Sequence, residues 1–182
     1  FETLNYSENG HNKDTVEKVF WGTSLWNRNQ YLRLNEWKTM DKTYSQIVME
    51  AGKKYNISPI HIATRMIQET GGKIDTNKSI NGSTVVNGNV PYNFFNIGDT
   101  PDANGNNSVT NGLIYAENQG WLTPEASING GVSYLGASYI DRGQNTMYFQ
   151  KFDVNNENGN LSALCAHQYM TNIMAPLNEA KR

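Results

Sequence analysis

Apolar residues recur at helical spacing in two adjacent segments of this chain. Over residues 43–55, Tyr44, Ile47, Val48 and Ala51 fall at steps of three or four, the period of a helix with one buried face, and Asn56 is placed to end it. Ser58-Pro59 then supplies an N-cap followed by proline in the first turn. It predicts a second helix through Ile60, Ile62, Ala63, Met66 and Ile67, stopped by Gly71-Gly72. So short a link makes the two a tight helical hairpin. Thr123-Pro124-Glu125 opens a third helix running to about residue 140, with Gly130-Gly131 allowing close helix packing. A last helix is predicted from Leu161 through Tyr169 toward the C-terminus.

Between the second and third helices the pattern changes. Val85-Val86, residues 92–97 and residues 113–115 are short aromatic or β-branched runs separated by Gly and Asn, which predict a small β-lobe or irregular loops against a helical body. The chain has 26 asparagines, and many lie in the Asn/Gly/Ser/Thr-rich stretches 76–90 and 99–112, which read as turns. The triplet Asn81-Gly82-Ser83 follows from that composition and reads as chance rather than as a glycosylation site.

A length of 182 residues fits one domain, and 11% aromatic residues are enough to fill its core. No apolar run approaches a membrane span, and a net charge of −2 gives no electrostatic footprint for nucleic acid. The single Cys165 cannot form an internal disulfide, and its i,i+2 spacing from His167 argues against a nucleophile pair on a helix. His11, His61 and His167 are scattered without metal-ligand spacing, and His61 reads as an exposed polar residue; no glycine loop suits a nucleotide. Neither a metal nor a cofactor is expected.

The residue with chemical interest is Glu69. It lies three residues after Met66 and seven after Ile62, beside the apolar stripe, and in the last helical turn, where the macrodipole disfavours a second negative charge. Both effects favour a protonated carboxyl, the species a glycosidase uses to protonate a leaving oxygen. The same spacing also suits a solvated Glu at a helix end.

The ordered series Ile67-Gln68-Glu69-Thr70-Gly71, Tyr92-Asn93-Phe94-Phe95-Asn96-Ile97-Gly98, Gly112-Leu113-Ile114-Tyr115-Ala116, Gly120-Trp121, Gly143-Gln144-Asn145-Thr146-Met147-Tyr148 and His167-Gln168-Tyr169-Met170-Thr171 resembles the glucosaminidases of glycoside hydrolase family 73. It covers the chain from about residue 43 onward. The upstream segment 16–23 is similar to the lead-in of Gram-positive autolysins. The resemblance implies an α+β, mainly α, lysozyme-like fold: a helical body with a small β-lobe, about residues 76–118, forming a substrate groove. The whole of 1–182 is then one catalytic domain, with residues 1–42 as a lead-in packed on the body.

What the resemblance implies for chemistry is an endo-acting peptidoglycan hydrolase that cuts the β-1,4 bond between N-acetylglucosamine and N-acetylmuramic acid, with Glu69 as general acid and Tyr169 as an active-site tyrosine. Asn93, Phe95 and Asn96 would line the groove under the sugars, with Phe94 in the core. Gln68, Gln144 and Gln168 would contact sugar.

A second carboxylate is less defined: Glu117 reads as a surface residue on a helix leading to Trp121, Asp99 and Asp102 sit in a turn, and Asp99, directly after Asn96-Ile97-Gly98, is the best placed. An inverting reaction needs such a base, whereas a substrate-assisted one uses the 2-acetamido oxygen and asks less of the protein; the latter is expected. A lytic transglycosylase or muramidase on the same fold, and a non-catalytic wall-binding module, are the rival readings. The expected partners are peptidoglycan glycan strands, bound by a monomer that is secreted and associated with the cell wall. Any export signal and wall-binding modules are expected outside these residues.

Overall fold

The computed structural model describes residues 3–8, 12–26, 42–101 and 107–153, with Met174 and Leu177. Among them are α1 (Lys13–Val19), α2 (Tyr44–Tyr55), α3 (Pro59–Thr70), α4 (Ser108–Asn118), α5 (Pro124–Ser138), a 3-10 turn (Ile140–Arg142) and α6 (Met147–Phe152). The last predicted helix, 161–169, lies outside the described residues.

The predicted hairpin is present, and its ends are set by local chemistry. Thr43 and Gln46 form a reciprocal capping box at the start of α2: the Thr43 N–H donates to Gln46 Oε1 at 2.7 Å and the Gln46 N–H to Thr43 Oγ1 at 3.3 Å. Asn56 ends α2 in the left-handed region at φ 55°, and Gly71 ends α3 at φ 67°. Ser58 caps α3 through the His61 N–H at 3.4 Å. Gly52 makes the hairpin tight: a Cβ there would lie 2.7 Å from the Ile57 carbonyl oxygen and 2.8 Å from the Pro59 ring.

Helix α2 is the centre of the body. It packs against α5, α3 and α1, and its Ile47, Val48 and Ala51 are fully buried with Ile62, Ala63 and Met66 of α3 and Ile128 and Val132 of α5. The lead-in joins this core. Leu4 and Val16 are buried, the Leu4 N–H donates to the Asn145 carbonyl at 2.7 Å, and the Ser58 N–H donates to the Leu4 carbonyl at 2.6 Å.

Among the described residues, the small β-lobe or irregular loops expected over 76–118 take the form of loops and turns followed by a helix. Among the described residues pairing there is limited to one isolated bridge, Val86 with Asn89. Positive φ at Gly82, Asn87, Gly88, Asn96 and Gly98 breaks each extended run after a few residues. Asparagine side chains then take local backbone donors: Asn77 from Ser79, Asn81 from Ser83, and Asn93 from Ile97. The runs 99–112 and 113–115 also depart from the turn and strand readings, because Asn107 caps Thr110 at 2.9 Å and starts α4. Its buried residues, Gly112, Leu113 and Ala116, follow a helical step.

The Gly130-Gly131 pair admits aromatic rings rather than another helix. A Cβ on Gly130 would lie 2.0 Å from Trp121 Nε1, and one on Gly131 would lie 2.0 Å from Phe95 Cδ2. A Cβ on Gly136, farther along α5, would meet only ordinary contacts, 3.5 Å to Ile57 Cδ1 and 3.8 Å to the Tyr55 carbonyl oxygen. Gly131→Ala is therefore expected to destabilise by about 1–2 kcal/mol, overpacking against a ring with no room to move outweighing the gain in helix propensity. Gly136→Ala should be neutral or stabilising by up to about 1 kcal/mol. Urea unfolding of the two variants checks the contrast.

Candidate active site

Glu69 stands one residue before the end of α3, and its side chain is 24% exposed. The helix end around it is closed by hydrogen bonds: Thr70 Oγ1 donates to the Met66 carbonyl at 2.5 Å, and the Gly72 N–H donates to Thr70 Oγ1 at 3.1 Å. Asn96 closes the rest. From its left-handed backbone position at φ 50°, its Nδ2 donates to the Glu69 carbonyl at 2.7 Å and reaches Glu69 Oε2 at 3.3 Å. The turn 93–99 is thereby fastened to the carboxylate.

One turn earlier on α3 lies Arg65, only 1% exposed. Its Nη2 is 3.5 Å from Glu69 Oε1, and its Nη1 donates to Gln68 Oε1 at 2.9 Å, while Gln68 itself stays exposed. The ion pair favours the charged carboxylate, opposite in sign to the helix-end effect. The sequence reading passed over Arg65. Its signal was a cation inside the apolar stripe between Ile62 and Met66, four residues before a carboxylate.

Asp99 enters the same electrostatic neighbourhood. Its N–H donates to the Asn96 carbonyl at 3.1 Å, which turns the side chain toward α4; there a Cβ on Gly112 would fall 1.4 Å from Oδ1. That oxygen is buried and has no hydrogen-bond partner among the described residues. Burial, and then the negative charge of Glu69, push the Asp99 carboxyl up from 3.8 to about 6.

Thus Glu69, Gln68, Asn96 and Asp99 share one neighbourhood, and other predicted sugar contacts do not join them. Asn93 is fully buried, its Nδ2 donating to the Ile97 carbonyl at 2.9 Å and the Gly112 carbonyl at 3.0 Å. Phe95 is buried against Gly131 and Phe94 is buried as well, because residues 94 and 95 lie in a turn where the alternation expected of a strand does not hold. Gln144 is buried and donates to the Phe149 carbonyl at 3.1 Å.

Residues 143–146 in fact serve the chain's architecture. Gly143 takes φ 79°, and Thr146 caps α6. Glu117 lies on α4 as expected, and its carboxylate accepts from Asn89 Nδ2 at 2.9 Å. Tyr169, Gln168, His167, Cys165 and Asp102 lie outside the described residues. No group of three or more possible metal ligands occurs among the described residues, and no helix of theirs is long and apolar enough to cross a membrane.

His61 corrects another expectation. It is buried rather than exposed, because the first turn of α3 faces the body; burial and then the Arg65 charge lower it from 6.5 to about 3, so it is neutral.

No family model matches the chain. A Bacillus subtilis (strain 168) protein named beta-N-acetylglucosaminidase is 35% identical over 128 residues, 69% of this chain and 13% of that protein. A bifunctional autolysin of Staphylococcus epidermidis is 31% identical over 131 residues, 68% of this chain and 9% of that protein. The chain belongs to the autolysin glucosaminidases, glycoside hydrolase family 73. It spans 13% and 9% of the length of these curated relatives.

The family 73 fold is also visible among solved structures. A major bifunctional autolysin matches with a TM-score of 0.65 at 23% identity, over 100% of this chain and 63% of that one. A catalytic mutant of Staphylococcus aureus autolysin E in complex with the disaccharide NAG-NAM matches with a TM-score of 0.62 at 21% identity, over 100% of this chain and 70% of that one. These likenesses show the fold, which is mainly helical among the described residues.

Two groups give this family 73 domain opposite pH responses. Asp99 has a raised folded value, so its contribution is present below 3.8 and is lost as pH rises through about 6. Asp99→Asn should therefore stabilise at pH 8 and not at pH 4, by about 1–2 kcal/mol after discounting for partial solvent screening. His61 has a lowered folded value, so stability falls on acidification from 6.5 toward about 3, by up to about 1.4 kcal/mol per pH unit. His61→Gln should flatten that slope. Chemical denaturation of both variants between pH 3.5 and 8 separates the two effects, about one titrating group each.

Proposed function

We propose that this chain hydrolyses the β-1,4 bond between N-acetylglucosamine and N-acetylmuramic acid in bacterial peptidoglycan, with Glu69 as general acid. The observation that carries the reading is Glu69 itself: a partly open carboxylate at the end of an apolar helix, held between Arg65 and Asn96, in a chain of the glucosaminidase family. Glu69 gives its proton to the bridging oxygen as the glycosidic bond breaks. The 2-acetamido oxygen attacks C1, and the resulting cyclic species is opened by water that returns a proton to Glu69. Tyr169 orients the acetamido group, and Gln68, Asn96 and Gln168 bind sugar hydroxyls. The turn-rich segment 76–118 forms one wall of the groove, and the lead-in braces the body as part of a single catalytic domain.

A second reading gives the base role to Asp99, and its electrostatic coupling to Glu69 supports it. In that scheme Asp99 takes the proton of an attacking water and the product is inverted. The full protein would be a secreted, wall-associated monomer carrying further wall-binding modules.

Glu69→Gln should lose about 10²–10⁴ in the rate of clearing peptidoglycan suspensions while keeping its fold. Near-normal clearance by a folded variant would return the domain to a binding role. Borohydride reduction of digested peptidoglycan followed by mass spectrometry should show reduced glucosamine-type ends. Reduced muramic ends mean a muramidase, and 1,6-anhydro ends mean a transglycosylase. Asp99→Asn should keep substantial activity if the acetamido group is the nucleophile; loss as deep as that of Glu69→Gln, with an inverted product anomer, establishes Asp99 as base.

A further inference from the structure

Two tryptophans stand outside the chemistry described so far. Trp21 is 58% exposed and Trp26 is 50% exposed, with ring centroids 6.5 Å apart and planes at 76°. Single exposed apolar residues are ordinary, but two large rings in contact on one turn form a patch. The turn does not need them for burial, since Phe20 and Leu25 beside them fill the core at 1% and 2% exposure. In an edge-to-face pair, the ring that meets its neighbour edge-on leaves its own faces uncovered by that neighbour.

The turn is also held rigidly and held to the catalytic helix. The Thr23 N–H donates to the Phe20 carbonyl at 3.0 Å, the Trp26 N–H to the Thr23 carbonyl at 3.4 Å, and the Leu25 N–H to Thr23 Oγ1 at 3.2 Å. Ser24 donates to the Gly72 carbonyl from its N–H at 3.0 Å and from its Oγ at 2.9 Å, and its Oγ accepts from the Ile74 N–H at 2.7 Å. Gly72, with φ 62°, has no room for a side chain because Thr23 would lie 2.8 Å from a Cβ. Only Thr70 and Gly71 lie between this anchor and Glu69, three steps or about 10 Å of fully extended chain at most.

We propose that Trp21 and Trp26 form a carbohydrate-stacking platform for a hexosamine ring of the same glycan strand, beyond the sugars at Glu69. The inference rests on the peptidoglycan-hydrolase reading. A glycan is a polymer, so rings beyond the cleaved bond pass over neighbouring surface. A flat indole face covers the axial C–H face of a pyranose, and the indole N–H can donate to a hydroxyl at its rim. Fixing the platform to the backbone after Glu69 places the strand in register with the acid.

The test uses the inactive Glu69→Gln protein, with purified sacculi in co-sedimentation and chitin oligosaccharides of two and six sugars in calorimetric titration. In that background Trp21→Ala with Trp26→Ala should bind sacculi about threefold to tenfold more weakly at an unchanged melting temperature. The gain in affinity from two sugars to six should shrink with it. Trp21→Phe with Trp26→Phe should fall between the two and remains informative if the alanine pair does not fold. Equal binding to sacculi, or an undiminished length gain, overturns the proposal. So does a change in oligomeric state with glycan binding intact, which would assign the patch to a second copy of the chain. Digestion of sacculi by the protein with Glu69 intact decides the hydrolase reading separately.

Discussion

A guanidinium removed from water on an apolar helix face sets the terms for this site. Arg65 is almost fully buried, and a buried cation without compensation is strongly destabilising. Its compensation comes from Glu69 and Gln68, the two residues that mark the open end of α3. Their side chains are therefore positioned by an electrostatic requirement of the body. His61, one turn farther back, is kept neutral first by its own burial and then by the same Arg65 charge.

Around the carboxylate, influences of both signs converge. Arg65 and the Asn96 amide favour its charged form, whereas the helix end and the negative charge of Asp99 oppose it. In the sequence, the helix-end position of Glu69 carries one side of this balance and Arg65, four residues earlier, the other.

What was legible in the sequence was what neighbours in the chain decide. Thr43 with Gln46, Asn56, Ser58-Pro59 and Gly71 fix α2 and α3 through contacts a few residues apart, and their bounds could be read directly. The destination of Asn93, Phe95 and Gln144 could not be read, because each is buried by partners distant in sequence or by a turn that local pattern does not reveal: Gly112 for Asn93, Gly131 for Phe95, and the α6 backbone for Gln144. The asparagine-rich lobe failed for a related reason. An Asn side chain supplies the hydrogen bond that a neighbouring strand would, so apolar runs that suggest a sheet stand without one. Family resemblance identified Glu69 as the acid candidate, while its ion pair with Arg65 and the electrostatic influence between it and Asp99 depend on the folded arrangement.

The single amide of Asn96 that reaches both the carbonyl and the carboxylate of Glu69 ties two events together. A displacement of the 93–99 turn away from α3 would take a donor from the carbonyl and from the carboxylate of Glu69 together. While that amide is in place, the turn and the carboxylate cannot shift independently of one another.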